Sequence, residues 1–111
     1  MQSRGVYIIR VAAMLSGMHP QTLRKYERVG LLTPSRSRML RMYSDEDIAL
    51  LKMIKYLVDE VGLNLAGVDL ALTMRSRLLD MKRGLVPLTE DSRLKQRLGK
   101  AIGEMLQMIE P

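Results

Sequence analysis

Between His19 and Arg28 the chain carries Gln21, Thr22, Arg24, Lys25 and Tyr26, and a second group of cations, Arg36, Arg38 and Arg41, follows close behind. These side-chain types suit one chemistry in particular. Gln pairs bidentately with adenine and Lys or Arg with guanine in the major groove, each good pair discriminating by about 1–3 kcal/mol. Gln21 and Lys25 are therefore read as base readers, with His19 and Thr22 beside them at the start of the same helix. Arg24 and Tyr26 are assigned to backbone phosphates, although Tyr26 fits a core aromatic equally well. Arg36, Arg38 and Arg41 suit phosphates or a minor groove. The competing reading for Gln21, Lys25 and the wing arginines is solvated surface.

Charge distribution favours the first reading. The first 43 residues hold eight Lys or Arg and one acid, Glu27, for a net +7, while the remaining 68 come to −1. A local positive field beside a short polar helix is the electrostatic footprint of a duplex reader.

Other chemistries lack their residues. There is no Cys and a single histidine, His19, so disulfides, thiolate metal sites and the ordinary zinc, copper or haem sensors are not expected. No cofactor is expected. No nucleophile is paired with a base, and Asp45, Glu46 and Asp47 are explained by the positive end of a helix, so no enzymatic activity is expected. No stretch approaches the roughly 20 apolar residues of a membrane span, and the first residues lack a secretory pattern. The expected location is the cytoplasm. Met14, Met53, Met74, Met105 and Met108 are taken as core and seam filling rather than a groove for a partner.

Positioning these side chains requires a particular order of elements. Tyr7 to Arg10 is β-prone, after which Val11, Met14 and Leu15 step at helical spacing to Gly17. Pro20 opens a second helix, with Leu23, Tyr26 and Val29 on one face until Gly30, so residues 10–30 form a helix-turn-helix. Residues 31–43 suit a small β-hairpin wing. Ser44 caps a helix over 44–61 with the stripe Ile48, Leu51, Ile54, Leu57 or Val58, and Val61, and Gly62 stops it. Asn64 caps another over 64–82, through Leu65, Val68 and Leu72.

Gly84 and Pro87 place a hinge at 84–88, dividing a DNA-binding domain over 1–83 from a C-terminal helix over 89–111 capped by Thr89. In that helix Leu94, Leu98, Ala101, Met105 and Met108 step by 4, 3, 4 and 3, a coiled-coil seam for dimerisation, with Gly99 and Gly103 on its outer face. The expected fold is mostly α: a winged helix-turn-helix followed by a dimerisation helix.

These motifs resemble a known family. Val11-Ala12-Ala13-Met14-Leu15-Ser16-Gly17-Met18, Thr22 to Glu27, Gly30-Leu31-Leu32, Pro34-Ser35-Arg36, Arg41-Met42-Tyr43-Ser44 and Asp47-Ile48 are similar to the MerR family of winged-helix regulators. Through Gly17 to Arg24 and Asn64 to Val68 the likeness extends to its heat-shock repressor branch, HspR. The resemblance implies a homodimer joined by antiparallel C-terminal helices on an inverted-repeat operator. It implies DNA contacts from Gln21, Thr22, Arg24, Lys25 and Tyr26 on the helix and Arg36, Arg41 and Tyr43 on the wing. The branch implies repression of chaperone genes, in some bacteria with the chaperone DnaK as co-repressor. Two rival readings remain: a MerR-like structural anchor for DNA in nucleoid organisation or segregation, and an adaptor whose Met-bearing seam binds a partner helix.

Overall fold

The computed structural model describes residues 5–37, 40–88 and 90–111, with those at 36–37 and 85–88 described by backbone alone. The chain divides into two compact units, residues 1–55 and 56–111.

In the first unit, β1 (Tyr7–Ile8) leads directly into α1 (Ile9–Ser16), followed by α2 (Pro20–Arg28), β2 (Ser35–Ser37), β3 (Leu40–Tyr43) and the first part of α3 (Asp45–Asp59). The wing is an antiparallel pair of β2 and β3 in which Arg36 stands opposite Arg41. β1 adds to the other edge of β3, with Tyr7 opposite Tyr43, so the β-prone run before α1 completes a three-stranded sheet.

The turn of the helix-turn-helix follows from its residues. Gly17 takes φ 70°, the left-handed conformation that ends α1, and the Met18 N–H reaches back to the Ala13 carbonyl. His19 is the N-cap of α2: its Nδ1 accepts from the Gln21 N–H at 3.2 Å, and Pro20 occupies the first helical position. Gly30, at φ 84°, follows the other end.

The packed face of α1 is not the expected one. Ala12, Ala13 and Ser16 are buried, whereas Met14 is 72% and Leu15 42% exposed. Small side chains allow the helix backbone to approach its neighbours closely, and the Ser16 hydroxyl is satisfied by donating to the Ala12 carbonyl at 2.8 Å. Leu23, Tyr26, Leu32, Tyr43, Ile48, Leu51 and Ile54 complete this core.

α3 begins as its sequence requires. The Asp47 N–H donates to Ser44 Oγ at 3.1 Å and the Ser44 N–H donates to Asp47 Oδ2 at 2.9 Å, a reciprocal capping box with Asp in the third position. The helix ends at Asp59, before Val61, which is 47% exposed, and Gly62 turns the chain at φ 84°.

The second unit contains the end of α3, α4 (Leu65–Leu88) and α5 (Ser92–Gln107). Asn64 Oδ1 accepts from the Gly67 N–H at 2.8 Å and caps α4 as expected. α4 then continues through 84–88, so the expected hinge is corrected to helix. Pro87 lies one residue from the helix end, so the bond it cannot donate and its crowding of the preceding turn disturb only the last turn, and Gly84 weakens the helix without breaking it. Thr89 lies outside the described residues; the N-cap of α5 is Asp91, whose Oδ1 accepts from the N–H groups of Arg93 and Leu94.

α5 packs on α4, and Ile102 and Leu106 of α5, with Ile109 just beyond it, form a buried stripe adjoining the expected seam. Arg75 Nε donates to Glu110 Oε1 at 2.8 Å and ties the two helices together. Gly99 and Gly103 are half-buried beside that stripe rather than on the outer face. The seam itself stays uncovered in the single chain: Leu94 is 43%, Leu98 37%, Met105 41% and Met108 77% exposed, and Ala101 is exposed. Of the five methionines assigned to core and seam, only Met53 is buried. Met74, Met105 and Met108 line an apolar groove of about 460 Å³ between α4 and α5.

Candidate nucleic-acid interface

α2 separates its faces cleanly. Leu23 and Tyr26 are buried, while Gln21, Lys25 and Arg28 are exposed. Their spacing of four and three residues puts the exposed trio on one helical face, and Thr22 and Arg24 are half-buried at its margins. His19 is exposed with Nδ1 engaged in the cap, which leaves Nε2 as the only other ring nitrogen. Gln21 and Lys25 thus face solvent, opposite the packed side of α2. Arg28 was not among the candidates from sequence; the i, i+4, i+7 relation to Gln21 and Lys25 is the signal that finds it.

Tyr43 requires correction, while Tyr26 takes the core position that is one of its two expected readings. Tyr26 is 6% exposed and Tyr43 is fully buried, so both rings belong to the core, and the Tyr43 hydroxyl does not reach the surface for a phosphate. That hydroxyl has no hydrogen-bond partner among the described residues. Burial holds the Tyr43 hydroxyl above the ordinary tyrosine value, and Glu27 adds to the rise while Arg41 and Arg24 oppose it. Tyr26 and Tyr43 fill space that an aromatic-poor chain must otherwise fill with aliphatic side chains.

The wing is joined to α2 by charge. Arg41 Nε lies 2.6 Å from Glu27 Oε2, with the arginine side chain 37% and the glutamate 17% exposed. Both contacting atoms are shielded from solvent, and the approach is charge to charge rather than an aligned hydrogen bond. Arg38 lies outside the described residues, as does the side chain of Arg36. At the far end of the sheet the Tyr7 hydroxyl donates to Asp45 Oδ1 at 2.7 Å, and this bond, with the aspartate charge, raises the Tyr7 hydroxyl above its usual value.

The exposed polar and cationic face of α2 and the hairpin joined to it lie within residues 7–74, which the model of the MerR helix-turn-helix family of regulatory proteins matches. The chain belongs to this MerR family. Among its MerR-type relatives, a protein of Streptomyces coelicolor named as the heat shock protein HspR is 44% identical over 78 residues, covering 69% of this chain and 52% of that protein. The HTH-type transcriptional repressor CarH of Myxococcus xanthus is 45% identical over 56 residues, covering 49% of this chain and 19% of that protein. The chain thus spans about half the length of the HspR relative and less of CarH. No solved structure matches the chain.

Among the described residues no group of His, Cys, Asp and Glu could hold a metal ion, and no helix is long and apolar enough to cross a membrane.

Proposed function

We propose that this MerR-family chain is a sequence-specific DNA-binding repressor of stress genes that acts as a homodimer on an inverted-repeat operator in the cytoplasm. The observation that carries the reading is the exposed Gln21, Lys25 and Arg28 face of α2 within the helix-turn-helix. Gln21 and Lys25 read base edges, while Arg24, Arg28 and the wing arginines supply salt-sensitive affinity to phosphates. Binding weakens with salt by about 0.9 in log K per neutralised phosphate per decade. Occupancy of the operator is the mechanism, and no chemical step is involved.

The exposed Leu94, Leu98, Ala101, Met105 and Met108 seam supports pairing of two copies through α5, because an apolar stripe of this length gains from being covered. Likeness to a protein named as the heat shock protein HspR supports heat-shock genes as the targets, while the chaperone DnaK as co-repressor rests on the resemblance to the HspR branch alone. The test is selection of bound duplexes from a random pool by the purified chain. A twofold-symmetric consensus supports the reading, since a symmetric dimer imposes its symmetry on the site. Recovery of duplexes without common sequence favours a structural DNA anchor instead.

A further inference from the structure

Glu27 is the one acid in the first 43 residues, and it sits on the helix whose outer face carries Gln21, Lys25 and Arg28. A carboxylate on a surface that meets phosphates is unfavourable by Coulomb repulsion alone. Its geometry gives it a use. Glu27 Oε2 lies 2.6 Å from Arg41 Nε, and both atoms are closed to solvent, yet the Arg41 side chain as a whole is 37% exposed. The exposed part of that side chain therefore excludes Nε, and the terminal guanidinium nitrogens are its remaining donors. Arg41 lies on β3, opposite Arg36 of the hairpin, and Tyr43 is buried on the same strand.

Resting on the DNA-binding reading, we propose that Glu27 is a positioning residue for recognition: its carboxylate fixes Arg41 so that the terminal guanidinium nitrogens are preset for a phosphate oxygen, and it locks the wing strand to the reading helix. A guanidinium held on one side by a carboxylate loses little further freedom when a phosphate takes the other side. Glu27 itself touches no DNA. A carboxylate that served only as a fold staple would leave the phosphate contact unaffected.

The two roles predict opposite signs. Electrostatics alone makes Glu27→Ala bind DNA more tightly, because an acid leaves a cationic surface. Positioning makes it bind more weakly. The experiment measures affinity for a duplex selected by the unaltered chain, over a series of salt concentrations, for Glu27→Ala, Arg41→Ala and the double variant. The expected result for Glu27→Ala is a loss of about tenfold, a salt slope shallower by about one phosphate, and no added loss in the Arg41→Ala background. Thermal unfolding without DNA confirms that each variant is folded, and the isosteric Glu27→Gln substitutes if Glu27→Ala is not. Unchanged or tighter binding by the Glu27 variant, or an equal loss with and without Arg41, overturns the proposal. Failure of the unaltered chain to bind any duplex overturns the DNA-binding reading instead, so the two failures are distinguishable.

Discussion

Lys55 Nζ donates to the Gly17 carbonyl at 3.0 Å, fastening the turn of the helix-turn-helix to α3. The lysine charge lies at the C-terminal end of α1, where the carbonyls are unsatisfied and the helix dipole is negative. A Cβ on Gly17 would stand 2.9 Å from that same Nζ, and the residue has φ 70°. Gly17→Ala is therefore expected to destabilise by about 1–2 kcal/mol from the left-handed backbone alone, and to displace the lysine as well. Gly30→Ala has the left-handed penalty without the contact, because nothing lies within 4 Å of its Cβ position. Urea unfolding of the two variants should rank Gly17→Ala as the more damaging.

The buried Tyr43 hydroxyl makes no hydrogen bond among the described residues, so it is a polar group carried into the core at a cost. Tyr43→Phe should leave stability unchanged or raised by up to about 1 kcal/mol, and it should leave DNA affinity unchanged. A marked fall in affinity on gel shift would return Tyr43 to the phosphate contacts.

Alkaline pH supplies a further check. Burial raises the Tyr43 hydroxyl above its ordinary value of 10.0, and Asp45 raises that of Tyr7. The folded chain thus keeps these protons more tightly than the unfolded chain. Their contribution is complete below the ordinary tyrosine value and is lost as pH rises from it through the folded values. Denaturant midpoints should fall above about pH 10, and by less in Tyr43→Phe than in the unaltered chain.

α5 carries one buried apolar stripe and one uncovered one, and the proposed pairing uses the second. Ile102 is 3% exposed and packs within the second unit, so Ile102→Ala should cost about 2–5 kcal/mol in unfolding. Leu98, 37% exposed, belongs to the uncovered stripe, so Leu98→Glu should leave monomer structure intact by circular dichroism and abolish self-association. Sedimentation velocity of both variants checks the assignment.

Much of the first unit is legible from residue order because its boundaries are local. Gly17, Pro20, Gly30 and the Ser44 to Asp47 cap act within a few residues of where they stand. Gln21 and Lys25 are legible for the same reason, since helical spacing alone places them opposite Leu23 and Tyr26. What escapes is set at longer range. Ala12 and Ala13 carry too little side chain to mark a packed face, so Met14 and Leu15 draw attention to the wrong side. The Glu27 and Arg41 pair joins separate elements, and sequence shows only an isolated acid and one arginine among several. On α5 a seam by spacing and a packed stripe by contact lie side by side, and periodicity does not tell which one α4 takes. Pro87 misleads because its effect depends on whether it falls inside a helix or at its end.

The most direct measurement is duplex selection from a random pool carried out in parallel with the unaltered chain and with Gln21→Ala and Arg28→Ala. Expected are a twofold-symmetric consensus for the unaltered chain, loss of preference at one base pair in each half-site for Gln21→Ala, and uniformly weaker binding with preference intact for Arg28→Ala. A consensus unchanged by Gln21→Ala, or none at all from the unaltered chain, would contradict base reading by α2.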